Sequence, residues 1–252
     1  MTSPWLRPGP AAVPGDGRLK IVCFAYAGRG ASVFQEWPKL LDGAADVLAV
    51  QFPGREERLN DAPVTGLDAF LDEFLPALRP WTGGPFALFG HCLGALLAAE
   101  TAIALRDREG IQPGSLILSG SAPPWTQRPL GNVGALTDGE FVRGLRQAGV
   151  LEPRHVAEPA LLALMLPAIR ADYELFESAR AGRPRPADPP LSCPLTLFAG
   201  DLDPSAGPEA VTGWSALTSA APDLRVFPGD HFFLDSAADD VVAAVGSGLA
   251  RP

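Results

Sequence analysis

Residues Gly90-His91-Cys92-Leu93-Gly94 form a Gly-x-Cys-x-Gly turn. It joins an apolar run, Phe86-Ala87-Leu88-Phe89, to an Ala/Leu-rich helical pattern. Strand, sharp turn and helix in that order lift one reactive side chain above the end of a sheet. The central residue is forced into a strained backbone conformation. A side chain two positions either way would collide with the neighbouring strand or helix, which explains glycine at 90 and 94. Most such turns carry serine at the centre; this one carries Cys92, the candidate nucleophile.

A thiol nucleophile needs a base, and the base needs an orienting group. The chain has three histidines. His91 sits inside the turn, where its side chain points away from that of Cys92, and reads as packing. His155 lies among charged residues and reads as surface. His231, in Phe227-Pro228-Gly229-Asp230-His231-Phe232-Phe233, follows the last strand pattern and is the candidate base. Loops at the C-terminal edge of a parallel sheet are where a base reaches such a turn. The orienting carboxylate belongs between nucleophile and base, after a late strand. Gly200-Asp201-Leu202-Asp203-Pro204 supplies Asp201 and Asp203. Asp after Gly readily bonds its own backbone, so Asp201 reads as a turn residue and Asp203 as the acid. Asp230 reads as a loop cap. Oxyanion donors are expected at the backbone N–H of Leu93 and in the loop Ala25-Tyr26-Ala27-Gly28-Arg29-Gly30, with Ala27 the best candidate.

These groups need a scaffold to converge. Short apolar runs at 19–25, 47–52, 85–89, 115–119, 195–199 and 224–227 read as buried parallel strands. Helical patterns at 33–41, 67–78 and 93–108 alternate with them, which implies a doubly wound sheet. The alternation breaks over residues 122–190, which read as a helical lid inserted into a single domain spanning 1–252. Thr137-Asp138-Gly139-Glu140 is a capping box leading into 141–148. Pro159 suits a first helical position before 160–180, and Pro167 predicts a kink or split there. Leu161, Leu162, Leu164, Met165, Leu166 and Ile169 either line an acyl channel or pack the lid onto the sheet.

The formal net charge of −9 argues against nucleic acid and anionic membranes. Three cysteines do not make a disulfide framework, which suits a reducing cytoplasm. The N-terminal residues lack the pattern of a signal peptide, and no apolar stretch is long enough to span a bilayer. Cys23 and Cys193 read as buried small apolar residues. No Cys/His spacing suggests a metal. Gly28-x-Gly30 lacks the third glycine of a dinucleotide loop, so no cofactor is expected.

The chain resembles the stand-alone type II thioesterases of polyketide and nonribosomal peptide assembly lines. The resemblance spans about 19–234. It is carried by Phe24-Ala25-Tyr26-Ala27-Gly28, Val50-Gln51-Phe52-Pro53-Gly54-Arg55-Glu56-Glu57-Arg58, Phe89-Gly90-His91, Gly94-Ala95, Asp203-Pro204 and the segment around His231. It implies an α/β-hydrolase fold with a helical lid, and an acyl substrate on the phosphopantetheine arm of an acyl or peptidyl carrier protein. It also implies a monomer, with Cys92 as nucleophile, Asp203 as acid, His231 as base and Ala27 and Leu93 as oxyanion donors. The family usually has Ser at 92, Pro at 25 and Gly at 29. A Cys–Asp–His subgroup of this architecture comprises the Dieckmann cyclases that release tetramates or pyridones, and the chain is similar to it. Cys92 would keep the acyl group as an electrophilic thioester, and a thiolate leaves more readily than an alkoxide. Cyclisation is therefore the expected reaction. Hydrolytic editing and transfer between carrier proteins are the alternatives, and a non-catalytic carrier-binding role fits poorly. Arg55 and Arg58 are candidates for docking an acidic carrier.

Overall fold

The computed structural model describes residues 3–126, 133–151, 157–181 and 184–249. One sheet contains β1 (Leu6–Pro8), β2 (Lys20–Phe24), β3 (Asp46–Val50), β4 (Phe86–His91), β5 (Ser115–Ser119), β6 (Leu195–Gly200) and β7 (Asp223–Phe227). Their spatial order is β1-β3-β2-β4-β5-β6-β7. β1 runs antiparallel to β3, and every other neighbouring pair is parallel. This is the mostly parallel α/β-hydrolase sheet expected from the sequence.

Alternation along the strands divides the core between two faces. On one face Val22, Phe24, Leu88 and Leu116 meet the helix Leu67–Leu78 and the elbow helix Leu93–Glu109. Leu67–Leu78 buries Leu67, Phe70, Leu71, Phe74, Leu75 and Leu78, a helical stripe at three- and four-residue spacing. On the other face Ile21, Cys23, Ala87, Phe89 and Ile117 meet the C-terminal helix Ala238–Leu249. With both faces covered, the inner strands are buried at every position.

Between β5 and β6 stand a short lid helix, Asp138–Gln147, and a long one, Pro159–Arg180. The Thr137–Glu140 capping box is formed on both sides, and Pro159 sits in the first turn of the long helix. Phe141, Leu145, Leu166, Ile169 and Tyr173 give the lid its own apolar cluster, and Ala27 packs against it.

Several expectations need correction. The pattern at 33–41 is not one helix: a 3-10 turn, Ala31–Phe34, precedes a single α turn, Trp37–Leu40, because Pro38 starts a new helix rather than continuing one. The long lid helix is not split at Pro167. Its ring removes one ladder bond, while the buried Leu166, Ala168 and Ile169 hold the turn in place. His155 lies outside the described residues.

Candidate active site

Cys92 occupies the N-cap of the elbow helix with φ 55° and ψ −118°. It is one of two non-glycine residues with positive φ among those described, and this is the strained turn the sequence called for. Steric contact enforces it. A Cβ on Gly90 would lie 2.0 Å from the Gly94 carbonyl oxygen, and one on Gly94 would lie 2.2 Å from that of Phe24. Cys92 therefore stands above the C-terminal end of β4, with the elbow helix pointing its positive end at the sulfur.

The C-terminal ends of β6 and β7 bring the other groups to the same edge. His231 Nδ1 donates to Asp203 Oδ2 at 2.8 Å. Asp203 Oδ1 accepts from the Ser205 amide (2.8 Å), the Ser205 hydroxyl (2.8 Å) and the Ala206 amide (3.0 Å). Both Asp203 and His231 are buried. Burial by itself pushes the Asp203 pKa up, but His231 and then Ser205 outweigh it and hold the carboxyl well below the usual range. Burial also works against charge on His231. The Cys92 sulfur, and after it Asp203, reverses that effect and raises the ring's pKa to about 10. His231 Nε2 is buried with no hydrogen-bond partner among the described residues.

His91 is fully buried and holds His231 from behind. Its Nε2 donates to the His231 carbonyl at 2.9 Å, and its Nδ1 lies 2.8 Å from the Ser119 hydroxyl. A ring that donates from Nε2 must accept at Nδ1, so one neutral tautomer satisfies both bonds. Burial, with charge on His231 adding to it, lowers the His91 pKa to about 3. Asp201 Oδ1 accepts the Gly229 amide, and Asp230 Oδ1 accepts the Phe232 amide, so both cap loops. Burial raises the pKa of Cys23, and that of Cys193 to about 11.

Cys92, Leu93, Ala27 and His231 open onto one cavity of about 580 Å³. Among the described residues no acceptor is bonded to the amide of Ala27 or Leu93. The long lid helix lines the cavity with Asp172, Tyr173, Phe176, Glu177 and Arg180. The six lid residues proposed as a channel do not line it. Leu166 and Ile169 instead pack beneath the lid, and Leu164 is 64% exposed. Arg55, a proposed docking residue, is buried and forms a bidentate pair with Asp172 at 2.6 and 2.8 Å. Arg58 bonds Asp61 and covers the Trp5 ring. The sequence reading missed Asp172 and Ser205. Ser205 had a local signal, since a hydroxyl two residues after a buried Asp can cap it; Asp172 had none. Among the described residues no cluster of metal-ligating side chains occurs, and no helix is long and apolar enough to cross a membrane.

The thioesterase-domain family model matches residues 19–247. The chain belongs to the thioesterase family. The type II thioesterase BorB from the borrelidin biosynthetic cluster superposes with a TM-score of 0.82 at 34% identity, covering 99% of each chain. That likeness places this thioesterase with the type II members. Thioesterase PikA5 of Streptomyces venezuelae is 34% identical over 221 residues, 87% of this chain and 77% of its own. LgrE of Brevibacillus parabrevis, called the linear gramicidin dehydrogenase, is 34% identical over 238 residues, 93% of this chain and 89% of its own. That name speaks for LgrE alone.

Proposed function

We propose that this thioesterase hydrolyses acyl thioesters carried on the phosphopantetheine arm of carrier proteins, and so releases or edits chains on an assembly line. The observation that carries the proposal is the array of Cys92, His231 and Asp203 at the head of the cavity. The likeness to PikA5, named a thioesterase, and to BorB, a type II thioesterase from a biosynthetic cluster, supports it.

In the first step the Cys92 sulfur attacks the thioester carbonyl. His231 Nε2 takes the thiol proton as the new bond forms, and Asp203 stabilises the resulting imidazolium through Nδ1–H. The oxyanion is held by the amides of Ala27 and Leu93. The carbon–sulfur bond to pantetheine breaks, and the departing sulfur takes the proton from His231. In the second step His231 accepts a proton from water, the hydroxide adds to the Cys92 thioester, and Cys92 leaves as the free acid forms.

Dieckmann cyclisation is the second reading. It draws on the sulfur of Cys92, which preserves an activated acyl group for attack by a carbanion of the same chain. Mass spectrometry of products from a carrier-bound β-ketoacyl-aminoacyl thioester separates the two. Free acid is the expected product. A ring product from the wild type that Cys92→Ser does not form would replace hydrolysis with cyclisation. Acyl transfer to a second carrier would replace both.

A further inference from the structure

We propose that Asp172 is a positioning residue for the oxyanion hole: from the lid helix it holds the Gly28 amide and thereby aims the neighbouring Ala27 N–H. The inference rests on the proposed role of Ala27 as a donor.

The Gly28 amide donates to Asp172 Oδ2 at 2.7 Å. The same oxygen accepts Arg55 Nη1 at 2.6 Å, while Oδ1 accepts Nη2 at 2.8 Å. The guanidinium is itself anchored. Its Nε donates to the Pro53 carbonyl at 3.3 Å, and Nη1 also reaches the Arg29 carbonyl at 3.4 Å. The carboxylate is therefore fixed in position and direction on both oxygens. Because the peptide unit is planar, holding the Gly28 N–H fixes the plane that links it to Ala27. The Ala27 N–H belongs to the preceding peptide, whose Tyr26 carbonyl accepts the Arg29 amide at 3.1 Å, so both planes that meet at Ala27 are held and the loop has little freedom to rotate the Ala27 amide away from the cavity.

Two further contacts interlock the lid with this loop. Gly28 has φ +80°, and a Cβ there would lie 2.7 Å from Ile169 Cγ1, one turn before Asp172. Ala27 also packs against the lid's apolar cluster. A buried ion pair is poor value as a stabiliser, since well-packed apolar replacements are often as stable. Its use here is directional. A bidentate fork sets a geometry that apolar contacts would not. The lid helix donates nothing to the oxyanion, yet the hole is correctly shaped only while that helix is seated.

The test compares two reactions of the same sulfur. Acylation of Cys92 by a short acyl N-acetylcysteamine thioester develops an oxyanion, whereas alkylation by iodoacetamide displaces iodide without one. Both are followed by intact-protein mass spectrometry. The variant Arg55→Met/Asp172→Leu removes the acceptor and leaves no lone buried charge. Acylation is expected to slow by about 10–100-fold, with alkylation within about two-fold of wild type. Arg55→Lys keeps the charge and the fold but loses the fork, and a smaller, several-fold slowing of acylation alone is expected. Equal acylation in variants and wild type, or a parallel fall in both reactions, overturns the proposal. A wild-type Cys92 that is alkylated but never acylated overturns the functional reading itself.

Discussion

At the elbow the backbone does the positioning, whereas the lid is positioned by side chains. Gly90, Gly94 and Phe24 leave no room for a single added carbon, so the main chain around Cys92 has one arrangement open to it. The lid helix is held by the Arg55–Asp172 fork, by Arg170 donating to Asp138 at 2.8 Å and to the Val133 carbonyl at 2.6 Å, and by its apolar cluster. These contacts can be exchanged one at a time at graded cost. The comparison teaches that Cys92 is placed by steric exclusion, while the lid wall of the cavity is held by interactions that can be retuned.

The sharpest way to probe the sheet side is Asp203→Asn. Loss of the carboxylate should cut single-turnover acylation of Cys92 by on the order of 10³-fold. Because Asp203 helps raise His231 to about 10, the His231 transition should also move to lower pH. An NMR titration of the ring showing no downward movement would contradict the assigned pairing. Gly94→Ala drives a Cβ into the Phe24 carbonyl oxygen. It should destabilise the fold by about 3 kcal/mol, read as a shift in denaturant midpoint. A stable, active Gly94→Ala protein would break the claim that the elbow cannot yield.

The two buried histidines pull stability in opposite directions. His91 is held down to about 3, so between there and 6.5 the unfolded chain binds the extra proton and stability rises with pH. His231 is held up to about 10, so from 6.5 to there the folded chain binds it and stability falls as pH rises. Unfolding free energy measured across pH should peak near 6.5. A plateau extending to pH 9 would sink the His231 assignment. On the lid, Thr137→Ala removes a solvent-facing capping box and should lower stability by only about 1 kcal/mol. A loss as large as that of Gly94→Ala would erase the contrast between the two regions.

What was legible in the sequence follows the same division. The elbow is a local pattern, because the residues that collide are four apart or lie on the adjoining strand. That Asp203 rather than Asp201 stands beside His231 was also legible, since Asp201 does what its immediate neighbours allow and caps the Gly229 amide. Strands buried on both faces announced themselves as continuous apolar runs. β1 did not, because Leu6-Arg7-Pro8 is three residues long and ends in proline. The C-terminal helix buries Val241, Val242, Val245 and Gly248 at helical spacing, but Gly246 and Gly248 weaken the pattern. Arg55 looked solvent-facing because it stands in a charged run, while its partner lies 117 residues away. No short-range periodicity carries a contact of that kind.

The antiparallel β1 has a consequence beyond the site. Its pairing with β3 makes one rim of the sheet a short strand of three residues that ends in proline, and Trp5 locks it there against Phe52, Phe70 and Phe74. The opposite rim, β7, keeps unpaired peptide groups and exposes Leu224 and Val226. Arg225, bound to Asp223 and to the Ala244 carbonyl, is the charged guard on that rim. Among the described residues β7 is the longer of the two edge strands, five residues against three in β1, and neutralising Arg225 is the change that would invite pairing of one sheet edge onto the next.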